Sequence, residues 1–94
     1  MEDRELLELA AKAADITITR WGGLYGAFIE KGQSWSPLTD DGDALRLAVK
    51  LKLDIAQGVG HLIAGDILYP RSGDPAVDTR RAIVVAAAEI GRAM

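Results

Sequence analysis

Cysteine is absent from the 94 residues, which removes disulfides, thiolate metal ligands and cysteine nucleophiles together. A reducing, intracellular setting fits that absence. A basic excess is lacking as well. Eleven Lys and Arg stand against 14 Asp and Glu, for a formal net charge of −3, whereas general nucleic-acid binders carry a positive field or stripe. Nucleic acid is therefore not an expected partner. No apolar run approaches the roughly 20 residues that span a bilayer. The opening Met1-Glu2-Asp3-Arg4-Glu5 is too acidic for a signal peptide. The expectation is a soluble, cytoplasmic chain with no membrane partner.

Catalytic and cofactor-binding constellations are missing too. His61 is the sole histidine, and no motif supplies it with the partners that a general base or metal ligand needs. Ser34, Ser36 and Ser72 lack a nucleophile-elbow context. Gly58-Val59-Gly60 has neither the third glycine nor the following helix of a dinucleotide fingerprint, and a tight turn explains it. The acidic run Asp40-Asp41-Gly42-Asp43 offers oxygen ligands for a hard cation, but its spacing is not that of a calcium loop. Helix capping by Thr39, Asp40 or Asp41 is the simpler reading. No enzyme, metal or cofactor is expected.

What is present is a legible order of elements. Leu6, Leu9, Ala10 and Ala13, widened by Leu7 and Ala14, recur at spacings of three and four and predict a helix over residues 2–14. From Ile16 the period changes to two, with Ile16 and Ile18 alternating with Thr17 and Thr19. A strand there would turn through Trp21-Gly22-Gly23-Leu24 and return to Glu30. Residues 33–38 form a connector, with Pro37 opposing helix at Ser36. A second helix is predicted from Asp40 or Asp41 to Lys52, its buried stripe supplied by Ala44, Leu45, Leu47, Ala48 and Leu51. A strand pair follows, 53–57 and 61–68, with Gly65 interrupting its second member. Asp74-Pro75 then starts a last helix, with Asp74 as N-cap and proline in the first turn. That helix runs to about Arg92, with Val77, Ile83, Val84, Ala87 and Ile90 on its apolar side, and the Ala86-Ala87-Ala88 run permits close approach of a neighbour. The expected fold is α+β, a single domain over 1–94 in the order α-β-β-α-β-β-α. It would hold one small antiparallel sheet of about four strands. The two αββ units hint at a duplication.

Residues for binding are sparse. Trp21, Tyr25, Trp35 and Tyr69 lie near turns or element ends, where aromatics either anchor partners or close a small core. Arg80 and Arg81, with Arg20, are the natural contacts for an anion. An apolar share of 49% in so short a chain is also compatible with burial against a second copy in a homodimer.

The segment Trp35-Ser36-Pro37-Leu38-Thr39-Asp40-Asp41-Gly42-Asp43, continued as Ala44-Leu45-Arg46-Leu47-Ala48-Val49-Lys50-Leu51, resembles the recurrent segment of small tailed-phage and prophage proteins of the phage ABA sandwich domain family. The opening stretch from Asp3 to Ala14 and the closing stretch from Thr79 to Met94 are similar to that family's first and last helices. Together these cover about half the chain. The region from Gln57 to Tyr69 follows no recognised pattern. The resemblance implies helices layered with an antiparallel sheet, expression in a bacterial host's cytoplasm, and no known activity. The leading expectation is a non-enzymatic phage accessory protein that binds and modulates a host macromolecule, with defence machinery of the CRISPR type among the targets. The alternatives are an oligomer sequestering a nucleotide or other anion, and a homo-oligomeric structural component.

Overall fold

The computed structural model describes residues 2–22 and 26–94. Helix α1 spans Asp3–Ala13, with Asp3 and Glu5 in its first turn and Lys12 in its last, charges that complement the helix dipole. Helix α2 spans Asp41–Leu51 and helix α3 spans Pro75–Arg92. α1 and α2 end by one device. Asp15 (φ 57°) and Lys52 (φ 56°) take the left-handed conformation. The next N–H reaches back five residues, Ile16 to the Ala11 carbonyl and Leu53 to the Ala48 carbonyl, each at 2.9 Å. These bonds satisfy carbonyls that a helix end leaves open. Neither end carries the glycine that usually signals this cap.

Each of the first two helices is followed by a three-stranded antiparallel meander. In the first, β1 (Arg20–Trp21), β2 (Ala27–Phe28) and β3 (Ser34–Trp35) lie in sequential order, with a 3-10 turn at Glu30–Gly32. In the second, β4 (Ile55–Gln57), β5 (His61–Ala64) and β6 (Ile67–Pro70) do the same. The order is therefore α-β-β-β-α-β-β-β-α, with two sheets of three strands where one sheet of about four was expected.

Three corrections account for the difference. Residues 16–19 form no strand; Ile16 and Ile18 instead pack as single side chains against the core, and the ladder starts where the Thr19 N–H meets the Phe28 carbonyl at 2.8 Å. Ser34–Trp35, expected as connector, forms β3 and is stopped by the turn around the buried Pro37. The run 61–68 is two strands, because Gly65 at φ 58° turns the chain where alternation faltered.

α3 is the central element. It lies between α1 and α2 and also carries β5 and β6. Ile83, Val84, Ala87 and Ala88 join Leu6, Leu7, Ala10 and Ala11 of α1 and Ala44, Leu47 and Ala48 of α2 in the main core. On its other side, Ala82 and Ala86 receive Leu62 and Ala64 of β5. Leu45, expected in the α2 stripe, is 63% exposed, and Val77 and Ile90 are half-exposed at 41% and 38%.

α1 and α3 run parallel, as Arg81 meets Asp3 at one end and the Lys12 Nζ donates to the Met94 carbonyl at the other. Their backbones come so close that a Cβ on Gly91 would lie 2.0 Å from the Leu9 carbonyl oxygen. Alanine ordinarily improves a helix interior over glycine by about 1 kcal/mol. Here the sign should invert. Gly91→Ala is expected to lower stability by about 1–3 kcal/mol through overpacking, which would appear as a Tm depressed by about 4–8 °C per kcal/mol in a circular-dichroism melt. A Tm at or above that of the native chain would show that α1 withdraws without cost.

Candidate protein-binding surface

The acidic residues at the starts of α2 and α3 hold those starts together. Asp40 is the N-cap of α2 and accepts from the Asp43 N–H at 2.8 Å; Asp74 is the N-cap of α3 and accepts from Ala76 and Val77 at 3.1 and 3.2 Å. Asp41, one residue into α2, pairs instead with Arg80 at 2.5 Å and so ties α2 to α3.

A second layer of acids lies beneath the caps. Asp43 is buried in the first turn of α2, accepts the Ser36 N–H at 2.9 Å and pairs with Arg46. Asp78 is buried in the first turn of α3, accepting the Ser72 N–H at 2.8 Å and the Ser72 hydroxyl at 2.5 Å. Each unit thus pins the serine that leaves its third strand to the helix that follows. The Ser72 hydroxyl, then its backbone N–H, hold the Asp78 pKa below the ordinary carboxylate range, outweighing desolvation, with Gly73 and Arg71 adding smaller contributions.

The three arginines considered for anion binding do not converge. The Arg80 guanidinium is spent on Asp41 and on the Leu38 carbonyl at 3.0 Å. Arg81 donates to Asp3 at 2.8 Å, and this bond raises its pKa against a desolvation penalty, with Tyr69 adding in the same direction. Arg20 stacks over the Phe28 ring at 4.1 Å.

The aromatic residues are dispersed in the same way. Of the two readings open for the aromatics, anchor or core, Trp35 takes the second: it is 4% exposed and belongs to the main core, opposite Ala27 in the first sheet. Its place in β3, hidden while 33–38 read as connector, turns the indole inward. Trp21 is half-buried under the Arg4 guanidinium, 4.6 Å from its ring centre. Tyr69 packs against the second core cluster. Tyr25 lies outside the described residues.

The exposed apolar surface is elsewhere, on the second sheet. Its inner face, with Leu62 and Ala64, is covered by α3. On its outer face Ala56 pairs across to Ile63, and Ile63 to Leu68, so one apolar row crosses all three strands. His61 and Pro70 form the neighbouring row. All five residues are exposed, Leu68 to 63%, and none carries a carboxylate, ammonium or guanidinium. Beyond the β4 edge, Leu45 of α2, 63% exposed, shares a cleft with Ile55. Sequence reasoning passed over these residues because 55–68 is apolar on both faces, which blurs the alternation that marks a half-buried strand.

Comparisons with protein families, with curated proteins and with solved structures find no match to this chain.

The Asp78 clasp has a pH signature. A carboxylate whose folded pKa is depressed stabilises fully above its unfolded value and loses that contribution as pH falls through the folded one. Urea midpoints of the native chain and of Ser72→Ala should therefore differ by a constant amount above about pH 5 and converge below about pH 4. A gap that persists unchanged to pH 2 would assign the serine's contribution to packing instead.

Proposed function

We propose that this chain is a non-enzymatic phage or prophage accessory protein that binds and modulates a host protein, with bacterial defence components as the target class. The observation that carries the binding part of this reading is the apolar row Ala56, Ile63 and Leu68 on the open face of the second sheet. Apolar residues that adjoin one another on an open face, unlike those scattered singly over a surface, are where partner proteins dock. Burying a fully exposed leucine or isoleucine is worth about 1.5–3 kcal/mol, and Ile63 and Leu68, 40% and 63% exposed, have about half of that still to gain, enough for the centre of an interface when a partner excludes water around them. The phage setting is supported by the segment from Trp35 to Leu51 and by the two terminal helices.

A different use of the same frame, sequestration of a small anion, draws no support from Arg80 and Arg81, each held by its own carboxylate. The meanders suit a binding role for a further reason. The second meander packs on α3 through Leu62 and Ala64 against Ala82 and Ala86, so its outward side chains can vary without disturbing the helices.

The test is retention of a partner from bacterial lysate by the tagged chain, compared with the double variant Ile63→Lys, Leu68→Lys. Both positions are solvent-exposed, and the variant should melt within a few degrees of the native chain. One stoichiometric protein held by the native chain, and at least 10-fold depleted with the variant, is the expected result. Retention by both would move the interface off this face. If the native chain elutes only with itself, the host-protein reading fails.

A further inference from the structure

We infer that the free edge of β4 is the acceptor for an extended polypeptide segment of a partner protein, added as a fourth, antiparallel strand to the second sheet. The inference rests on the protein-binding reading above and supplies its chemistry.

The hydrogen-bond register leaves the edge open in a definite way. The Gly65 N–H reaches the Asp54 carbonyl at 2.8 Å and the Gly58 N–H reaches the His61 carbonyl at 3.0 Å, with Ala56 opposite Ile63 between them. In an antiparallel ladder alternate residues bond to the same neighbour. Residues 54, 56 and 58 therefore turn their backbone groups to β5. Ile55 and Gln57 turn their N–H and C=O outward, two donors and two acceptors at the spacing of one extended chain. Only another extended backbone complements that array.

The two edges of this sheet are treated differently. β6 ends in Pro70, which has no N–H to offer a guest strand and is a residue with which proteins block strand addition. β4 reads Ile55-Ala56-Gln57, with no proline, and an aspartate precedes each strand, Asp54 here and Asp66 there.

There is also room for the guest's side chains. A mainly apolar cleft of about 370 Å³ lies beside β4, with Ile55, Leu45, Ala48 and Ile83 on its walls and the Asp41–Arg80 ion pair also lining it. A strand placed about 4.8 Å beyond β4 would roof this cleft and cover the Leu45 side chain. The second sheet is one strand short of covering α2. Alternate apolar side chains of a guest would fill the cleft, the usual division between main-chain affinity and side-chain specificity in strand addition.

The ends of β4 carry opposite charges, which set the end charges of an antiparallel guest. Arg71 is fixed at the far end of β4 by its Nε on the Gly58 carbonyl at 2.8 Å and by a second nitrogen on the Gln57 side chain at 2.6 Å. Asp54 stands at the near end. An antiparallel guest brings its N-terminal end to Arg71 and its C-terminal end to Asp54. It would carry an acid first and a base last.

The probe is a synthetic peptide of alternating valine and threonine with an N-terminal glutamate and a C-terminal lysine, titrated into the isotope-labelled full chain and followed by NMR. Saturable shifts at Ile55, Gln57, Leu45 and Ala48 are expected, with a Kd of about 1 mM or tighter and slowed exchange of the Ile55 and Gln57 amides. N-methylation of the peptide amides that face β4, exchange of its two end charges, or Leu45→Lys in the protein should each weaken binding at least 5-fold. Four results would overturn the inference. They are no saturable shift at millimolar peptide, equal binding of the N-methylated peptide, shifts confined to Ile63 and Leu68 or to β6, and self-association of the free chain that protects the β4 amides. A lysate partner lost on changing Ile63 and Leu68 while the peptide fails would sink this binding mode and leave the protein-binding reading standing. Peptide binding with no lysate partner would do the reverse.

Discussion

The smallness of the side chains along α3 is the constraint on which the rest of the molecule depends. A helix that touches neighbours on three sides needs its axis close to each of them, and bulky residues would hold the layers apart. Ala87, Ala88 and Gly91 admit α1 on one side, Ile83 meets α2 on a second, and Ala82 and Ala86 admit β5 on a third. Gly91 is the extreme case, with no space for even one methyl group against the Leu9 backbone. The larger groups that fill the core, Leu6, Leu7, Leu47 and Leu62, come from the elements that surround α3. Large and small side chains thus interdigitate as close packing requires.

Around that axis the chain uses its local devices twice. α1 and α2 both end in a left-handed non-glycine residue followed by an apolar residue whose N–H reaches back five positions. α2 and α3 both begin at an aspartate cap, with a buried aspartate in the first turn that clasps a serine just after the preceding strand. A three-stranded meander fills each interval. The spacings differ by a residue, since Ser36 stands seven before Asp43 and Ser72 six before Asp78, which is why the repetition is hard to see in the letters. The buried carboxylates are costly unless satisfied, and a serine N–H aimed at each satisfies them while orienting the helix. In these clasps the polar groups specify geometry, and the apolar contacts supply the bulk of the stability.

The proposed interaction surface follows from the same architecture. Three strands cover α3 but stop short of α2, so the sheet ends in an unblocked edge above an apolar cleft, and its outer face keeps an uncharged row across Ala56, Ile63 and Leu68. The ionic groups nearby are paired, Arg80 with Asp41 in the lining of the cleft itself. Arg80 and Arg81 hold α3 to Asp41 and Asp3, and so act as struts between helices. A surface left apolar by this distribution suits a protein partner better than a charged ligand.

The sequence by itself determined the three helices, their order, the cap at Asp74 and the α+β class, and narrowed the cap of α2 to Thr39, Asp40 or Asp41. Periodicity of 3.6 and capping chemistry are local properties, written in neighbouring residues. It did not determine the strands, because two-residue strands such as Arg20–Trp21 and Ser34–Trp35 are too short to show a period, and 55–68 is apolar on both faces. Only the tertiary structure decided which apolar residues face water. Trp35 and Leu45 look alike in a hydropathy pattern, yet one is buried opposite Ala27 and the other stands at an open cleft. That outcome depends on where the sheet ends relative to α2, a distance between elements that no window of sequence contains.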